Sequence, residues 1–434
     1  MECVEIRRQF VEYYQNFGFQ QLQCASLLHP SLPKTFVMSA GRTQIDDKVA
    51  AGTYRKGDRY VLLQPCFRHF DLGKIGDSPF HLSLFEMGGA YCFGMPSRLK
   101  MLEKIWHFLT EKLGIQPQKL WATYFSGDEL DGLQVPSDSE TVEALKQIGV
   151  SRLQMVGLGA EANLLKEGLG DSTEKRWRKI GPMVEFFFDR GEQWRCGAQC
   201  RAGCQCGRFI EVSNTLFIYW LFDETTRTIT DFQTPFAETV IGIERLATAL
   251  QEGESVFDIP STALLMSVIT SYKPKESSFD LVHKLNSERI IADHIRALVF
   301  LVADGAPPPG QGGRQWIIKK LIRGILTHQK ILEIAPKDFV QKLIKTIIYN
   351  YNYYPSLKEA VPLIEAYIDK ESTRFEKTLA HGNSQLNKII KNGNIQSIDE
   401  QHLIDLVKHY GFPLPLLKIS LIRMGIEFNP NTFS

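Results

Sequence analysis

The change in residue pattern near position 260 constrains the fold of this chain more than any other sequence feature. Before it, strand-like runs occur at 59–63, 81–87, 91–93, 183–189, 208–220 and 226–232. From residue 288 onward the apolar residues recur almost only at helical spacing. We therefore predict a mixed α+β domain over residues 1–255 and an all-helical domain over residues 275–434.

Local signals within the first domain predict two helices and a hairpin. The first helix begins near the N-terminus and ends before Gly18, and the second runs from about Ser97 to Gly114. The runs 208–220 and 226–232 flank a turn signal at residues 223–224, which favours a β-hairpin.

Charge and hydropathy exclude several functional classes. The 50 Lys and Arg residues against 49 Asp and Glu leave a net charge of +1, so any nucleic-acid contact requires a local basic patch. The apolar stretch at 216–221 is far shorter than the ~20 residues of a membrane span. The first residues lack the apolar core of a signal peptide. We expect a cytoplasmic protein without membrane or DNA partners.

Four of the eight cysteines crowd into one short segment. They are Cys196, Cys200, Cys204 and Cys206, with glycines at 191, 197, 203 and 207. Four thiolates satisfy the tetrahedral coordination of structural Zn²⁺, and glycines allow a short loop to wrap an ion. We predict a closed zinc site here. An iron–sulfur cluster, a disulfide pair and four free thiols are the alternatives.

Two arginines in the first domain are suited to nucleotide binding. Arg68 ends the segment QPCFR (64–68), and FEMG (85–88) follows with Glu86. An arginine fork binds phosphate oxygens, although an Arg–Glu pair on adjacent strands is more often a simple ion pair. Arg245 in GIER (242–245) begins a helix and could stack on an adenine ring. A charged first helical turn is the alternative interpretation.

Together and in this order, these elements resemble motifs 2 and 3 of class II aminoacyl-tRNA synthetases. More narrowly, the segments resemble those of the alanyl-tRNA synthetase family. The sequence QPCFR in this chain is more similar to the archaeal type of that family than to the bacterial type. The first-domain segments are SAG (39–41) with Gln44, QPCFR, DLGKIG (71–76), HLSLFEM (81–87), GPMVEFFFD (181–189), GRFIEVSN (207–214) and GIER. The match continues in the second domain with ADHIRALVFLVADG (292–305), IIKKLIRGIL (317–326) and YGFP (410–413).

The resemblance implies an antiparallel sheet flanked by helices, followed by a helical tRNA-recognition domain. It also implies ATP-dependent formation of an aminoacyl adenylate, then transfer to tRNA without a protein nucleophile. Arg68 would hold the α-phosphate and Arg245 would stack on adenine. Glu86, Met87 and Gly242 would line the nucleotide site.

Glu211 is the predicted ligand for Mg²⁺, which prefers oxygen donors. In the amino-acid pocket, Asn214 and Glu238 match the two family positions that hold the substrate's amino group. Glu238 stands where the family has Asp, and Val240 where it has Gly. Trp177 matches the family's pocket-wall Trp. The longer side chain of Glu238 and the larger volume of Val240 predict a pocket of altered shape, which binds alanine or a close relative.

The second domain carries the predicted tRNA contacts. Lys319, Lys320 and Arg323 form a basic helix face opposite apolar residues. A solvated surface is the usual explanation of such a face, and the family match favours phosphate contact. Gln311 and Lys408 match the positions where the family reads an acceptor-stem G·U pair, and Arg314 lies beside the first.

Two alternative functions stay open at this point. The first is an adenylate-forming paralogue that passes the aminoacyl group to a carrier protein or a biosynthetic acceptor. Lys408 favours it, because the family has an Asp at this position and Lys reverses the charge. The second is a non-catalytic regulatory paralogue. The chain stops soon after YGFP, so we also expect it to lack the editing and C-terminal domains of the family.

Overall fold

The chain divides into two compact units in a computed structural model that describes residues 1–33, 36–168, 176–274, 281–335, 337–392 and 400–426. The first unit comprises Met1–Gly73 and Ser78–Ala263, and the second comprises Lys74–Asp77 and Leu264–Ser434. All described strands lie in the first unit, and helices make up the second.

A nine-stranded sheet forms the centre of the first unit, in the order β1-β2-β3-β11-β10-β9-β4-β7, with β8 paired to one end of β9. Its six central strands pair antiparallel, while β1 and β7 add parallel edges. A separate two-stranded ribbon pairs β5 with β6. The strands are β1 (Gln20–Leu22), β2 (Arg59–Phe67), β3 (Leu84–Phe93), β4 (Leu120–Phe125), β5 (Asp128–Leu130), β6 (Leu133–Val135), β7 (Met155–Leu158), β8 (Leu164–Gly168), β9 (Trp177–Asp189), β10 (Phe209–Asp223) and β11 (Thr228–Gly242).

The α+β fold class and the hairpin are confirmed. Strands β10 and β11 pair antiparallel from Asp223 opposite Thr228 to Ser213 opposite Ile241. The sequence prediction divided β3 into two runs, whereas the strand continues through Gly88 and Gly89. A Cβ atom on Gly88 would lie 2.9 Å from Cγ1 of Ile241, so the break in the apolar pattern reflects close packing and not a loop.

Helices cover one face of the sheet and bury its main apolar core. Phe10, Trp106, Phe186 and Leu246 belong to this core, from α1, α3, β9 and α6 respectively. The helices of the first unit are α1 (Cys3–Gln15), α2 (Arg42–Ala50), α3 (Arg98–His107), α4 (Ser139–Gln147), α5 (Ala160–Asn163) and α6 (Ile243–Leu250). The Ser97 hydroxyl accepts a hydrogen bond from the Lys100 amide and caps α3, as its sequence indicates.

The opposite face of the sheet carries a smaller apolar cluster that includes Ile45 of α2, Leu62, Tyr91 and Phe236. Polar side chains continue this face toward the ends of β10 and β11. The face is therefore only partly occupied by apolar packing, and it is the face on which most of the predicted site residues lie.

Long helices build the second unit. Buried residues of α9 such as Ile318, Leu321 and Ile325 point inward, and a further cluster joins Phe375 to Leu417. The helices are α7 (Pro260–Tyr272), which begins in the first unit, α8 (Leu281–Ala303), α9 (Gly313–Ile331), α10 (Phe339–Asn350), α11 (Ser356–Glu359), α12 (Val361–Asn392), α13 (Glu400–Lys408) and α14 (Leu414–Arg423). Within the described residues, none combines the length and apolarity that crossing a membrane requires.

Candidate active site

A β-bulge brings two of the predicted site residues onto one face of the sheet. Glu211 and Asn214 are three residues apart, and side chains at that spacing point to opposite faces of a regular strand. The register between β10 and β9 shifts between Glu211 and Ser213, so Glu211 lies opposite Phe187 and Asn214 opposite Glu185. The additional residue restores a common face for Glu211 and Asn214.

The residues predicted to form the amino-acid pocket meet across neighbouring strands on this face. Asn214 is the register partner of Val240, and Glu238 is the register partner of Tyr91. The Glu238 side chain is only 5% exposed. Its Oε2 atom and the Oδ1 atom of Asn214 are buried and have no hydrogen-bond partner among the described residues. Two unsatisfied acceptors therefore lie near each other on one surface.

Glu238 already has a cationic neighbour that sequence reasoning missed. The Arg42 guanidinium donates through Nη1 to Oε1 of Glu238 over 2.9 Å. Burial raises the pKa of Glu238 above its ordinary value, and the Arg42 charge opposes this rise without cancelling it. Arg42 stands between Gly41 and Gln44 of a segment singled out for the resemblance, so its position was a signal that could have identified it.

The two arginines predicted to bind the nucleotide are also held by this part of the chain. Arg68 donates from Nε to the Ser39 carbonyl oxygen over 3.2 Å, and its guanidinium lies 4.9 Å from the Phe85 ring centroid. Arg245, in the first turn of α6, donates from Nε to the Phe80 carbonyl oxygen over 3.1 Å and from Nη1 to Glu211 over 2.8 Å. Met87 lies opposite Gly242 in the pairing of β3 with β11.

Glu86 lies apart from these residues. Strand alternation turns it to the face that carries α1, opposite to that of Phe85 and Met87. Its carboxylate forms an ion pair with Arg7 of α1, and its amide donates to Oε2 of Glu244 over 3.0 Å. The prediction that Glu86 lines the nucleotide site therefore needs correction, because its carboxylate is engaged by a helix on the other side of the sheet.

Trp177 also lies outside the amino-acid pocket. It begins β9 opposite Asp223, whereas Glu238 is linked through Leu216 to Met183 on the same strand. Trp177 and Met183 are six positions apart, which corresponds to ~20 Å along a strand. The shortened spacing before GPMVEFFFD accounts for the error, because it moves the tryptophan along the sheet.

Glu185 is, after Arg42, the second residue that the sequence prediction overlooked. It accepts a hydrogen bond from Thr123 over 3.3 Å, and Asn214 Nδ2 approaches it to 3.4 Å. Burial, with a contribution from the Glu211 charge, raises the pKa of Glu185 to about 8. A buried carboxyl with a perturbed pKa beside other polar groups is typical of functional sites. Its presence in GPMVEFFFD was the available signal.

The four clustered cysteines have metal-site geometry. Their Sγ atoms all lie within 4.8 Å of one another, with Cys196 and Cys204 3.4 Å apart and Cys200 and Cys206 3.6 Å apart. Ligand sulfurs ~2.3 Å from a tetrahedral zinc ion would be separated by ~3.8 Å. The arrangement is therefore close to that of a four-coordinate tetrahedral site.

In the second unit, only part of the predicted basic face is available to a ligand. Lys320 is exposed, and its Nζ atom lies 4.8 Å from the Trp316 ring centroid. Arg323 instead donates from Nε to the buried Glu371 over 2.7 Å. A phosphate would have to compete with this pair, so the structure assigns Arg323 first to the packing of α9 against α12.

The remaining tRNA candidates lie on several elements. Gln311 is exposed just before α9, and Arg314 lies partly buried in its first turn, as Lys319 does in its second. Lys408 is exposed at the end of α13. A Cβ atom on Gly411 of YGFP would lie 3.8 Å from Nη1 of Arg323, so this turn approaches α9.

An antiparallel sheet with Arg68 directly after β2 and Arg245 in the first turn of α6 defines a class of enzymes. The chain belongs to the family described as tRNA synthetases class II (A), which matches residues 5–433. Within it, the alanine–tRNA ligase of Thermoanaerobacter sp. (strain X514) is 28% identical over 436 residues, and that of Clostridioides difficile (strain 630) is 29% identical over 438 residues. Both alignments cover 99% of this chain and 47% of the relative. The chain thus spans about half the length of these relatives.

Solved structures give weaker similarity. Apo Staphylococcus aureus histidyl-tRNA synthetase aligns with 12% identity and a TM-score of 0.35, over 61% of this chain and 75% of that chain. The archaeal subtype indicated by QPCFR stays a prediction.

Proposed function

We propose that this chain activates a small amino acid, alanine or a close relative, with ATP and transfers the resulting aminoacyl group to tRNA. Its membership of the class II family supports this assignment. So does the similarity of almost the whole chain to enzymes named alanine–tRNA ligase. These relatives do not favour delivery to a carrier protein or a purely regulatory role.

One observation carries the proposal: two buried, unsatisfied acceptors lie on the sheet face that also carries Glu211, the hydrogen-bond partner of Arg245, and Phe85, whose ring Arg68 contacts. An ammonium group offers three donors and a positive charge, and a partly buried ammonium requires a charged partner. Glu238 Oε2 and Asn214 Oδ1 lack hydrogen-bond partners among the described residues and would provide these contacts. The amino group of an amino acid is therefore the ligand that best matches this surface.

The nucleotide would bind beside this subsite. Arg68 would neutralise the α-phosphate while the amino-acid carboxylate attacks it and pyrophosphate leaves. Arg245 would exchange its contacts with Glu211 and the Phe80 carbonyl oxygen for stacking on adenine, supported by Met87 and Gly242. No protein nucleophile is required, because the residues act by positioning the reactants and stabilising charge.

Glu211 and Glu185 are the residues that would hold Mg²⁺. Both carboxylates lie on the nucleotide face, and carboxylate oxygens are suitable ligands for this ion. When bound, Mg²⁺ supplies charge neutralisation to the ATP phosphates. Glu211 is 37% exposed and reaches Arg245, so its oxygens are accessible from the side where ATP would lie.

The cysteine cluster would bind a structural zinc ion. Cys196, Cys200, Cys204 and Cys206 supply all four ligands, which leaves no open position for a substrate. The ion would stabilise the loop between β9 and β10 and thereby the strand that carries Glu211 and Asn214. Its role would be to hold the site in shape, not to take part in the reaction.

The helical unit would bind the acceptor tRNA in the cytoplasm. Lys319, Lys320 and Lys408 would contact phosphates, which supply most of the affinity in such interfaces. Gln311 and Arg314 would lie closer to the acceptor stem. Arg323 would contribute indirectly, through its ion pair with Glu371.

ATP–pyrophosphate exchange with a panel of amino acids tests the first step, and aminoacylation of tRNA tests the second. We expect exchange with alanine or another small amino acid. Glu238→Gln should nearly abolish exchange, because it removes the charge that binds the ammonium group. The control Glu252→Gln alters a surface glutamate that is 71% exposed and should have no effect. Full activity of Glu238→Gln would show that the amino group binds elsewhere.

A further inference from the structure

Arg42 occupies an unusual place for a buried cation. It is the first residue of α2, and its side chain is 11% exposed. Its guanidinium forms ion pairs with Glu238, with Glu167 of β8 and, at 3.9 Å, with Asp46 of its own helix. Three carboxylates from three elements therefore converge on one arginine, which fixes the guanidinium beside the amino-acid pocket.

A second buried cation lies in the same cluster and shares two of these three carboxylates with Arg42. Lys179 of β9 is 4% exposed and reaches Asp46 over 2.7 Å and Glu167 over 3.8 Å. Among the described residues, Arg42 is the cation that is hydrogen-bonded to Glu238. Two cations against three carboxylates leave the cluster one negative charge in excess, which a substrate ammonium would compensate.

The two carboxylate oxygens of Glu238 have different surroundings. Oε1 accepts from Arg42, while Oε2 is buried and has no partner among the described residues. A carboxylate this deeply buried loses hydration and stays ionised only beside a compensating charge. Arg42 supplies that charge from one side, so the other side stays available for a ligand.

We propose that Arg42 is a positioning residue of the amino-acid site, which keeps Glu238 ionised and holds its second oxygen ready for the substrate's α-amino group. The inference rests on the proposed function, because it assigns Arg42 a part in binding the same substrate. Arg42 acts through Glu238 and does not itself contact the reacting atoms.

The inference predicts a particular dependence on pH. The groups facing Glu238 are Arg42 and Asp46 of α2, Glu167 of β8, Lys179 of β9 and Tyr91 of β3. In Arg42→Met, three carboxylates retain a single cation, so Glu238 should take up a proton near neutral pH. Removal of an adjacent opposite charge shifts a carboxyl pKa by ~1–3 units. The KM for the amino acid at neutral pH should therefore rise ~10-fold or more, with kcat little changed.

Raising the pH should reverse the effect. Deprotonation of Glu238 restores the binding charge, so the KM of Arg42→Met should approach that of the wild type between about pH 7 and about pH 8.5. Arg42→Lys retains the positive charge and should keep a KM–pH profile close to that of the wild type. A purely structural role for Arg42 would instead lower stability without this pH dependence.

Arg98→Met is a matched control within the same unit. Arg98 is likewise buried, at 4% exposure, and its Nε atom lies 3.1 Å from Oδ2 of Asp138. This ion pair does not include any residue predicted for the amino-acid pocket. Thermal unfolding would measure the stability lost by both Met variants. Only Arg42→Met should change the pH dependence of KM.

The double variant Arg42→Met with Glu238→Gln keeps the test decisive if the single Met variant does not fold. It removes the Glu238 carboxylate that Arg42→Met leaves without its partner. The effects of substituting two contacting residues are not additive. Because Glu238→Gln alone leaves almost no exchange, the measurement here is thermal unfolding: the double variant should be more stable than Arg42→Met, since it no longer buries an uncompensated carboxylate. A double variant no more stable than Arg42→Met, or a pH-independent KM in a folded Arg42→Met, would overturn the inference. Absence of exchange in the wild type would contradict the proposed function itself.

Discussion

A buried histidine in the helical unit should make that unit sensitive to acid. His328 of α9 lies 2.9 Å from the Ser287 hydroxyl of α8, measured from Nδ1 to Oγ. Burial, with a smaller contribution from His294, lowers the pKa of His328 to about 3. The folded state therefore keeps the ring neutral at pH values where the unfolded chain protonates it.

The sign and size of the effect follow from the difference between the two pKa values. The stability that His328 confers is complete above the unfolded value of 6.5 and is lost as the pH falls toward about 3. Between pH 7 and pH 5 the unfolded state gains ~2 kcal/mol from binding the proton. This value barely changes if the folded pKa is one unit higher, because pH 5 still lies above it.

Hydrogen exchange of amides in α8 and α9 measures this loss without assuming that the two units unfold together. In the wild type the free energy of opening should be lower at about pH 5 than at about pH 7. His328→Gln can keep a hydrogen bond to Ser287 but does not titrate, so its loss should be ~2 kcal/mol smaller. His409→Gln, which alters a histidine that is 75% exposed, is the control. An equal loss in the wild type and His328→Gln would refute the reasoning.

Four further substitutions test other parts of the molecule. Arg68→Ala should reduce ATP–pyrophosphate exchange by ~100-fold or more, as loss of one preorganised charge donor does, and unchanged exchange would remove Arg68 from the nucleotide site. Elemental analysis should find about one zinc ion per chain, and Cys204→Ser should lower thermal stability more than ATP affinity. Arg323→Met should destabilise the helical unit by ~3 kcal/mol because it leaves Glu371 buried without its main partner, whereas Lys319→Met should weaken tRNA binding at constant stability.

The amino-acid sequence by itself determined the features that depend on local pattern. The helical spacing of Ile318, Leu321 and Ile325 specified the inward face of α9, and these residues are buried. The turn signal at 223–224 specified the hairpin of β10 and β11. The close spacing of the cysteines at 196–206 made a cluster unavoidable, because a loop of that length cannot separate them widely.

Tertiary structure decided which residues share a surface. Strand alternation turns Glu86 toward Arg7, although the next residue, Met87, lies on the opposite face of the sheet. A one-residue bulge in β10 places Glu211 and Asn214 on a common side, which their spacing alone would not predict.

The partners of the buried charges were likewise decided by the fold. Arg42 is separated by 196 positions from Glu238, and Arg323 by 48 positions from Glu371. No local pattern indicates such pairs, because each depends on two distant elements being packed together. A charged side chain read from the sequence is thus a candidate for ligand binding, and only its neighbours in three dimensions show whether the charge is already used.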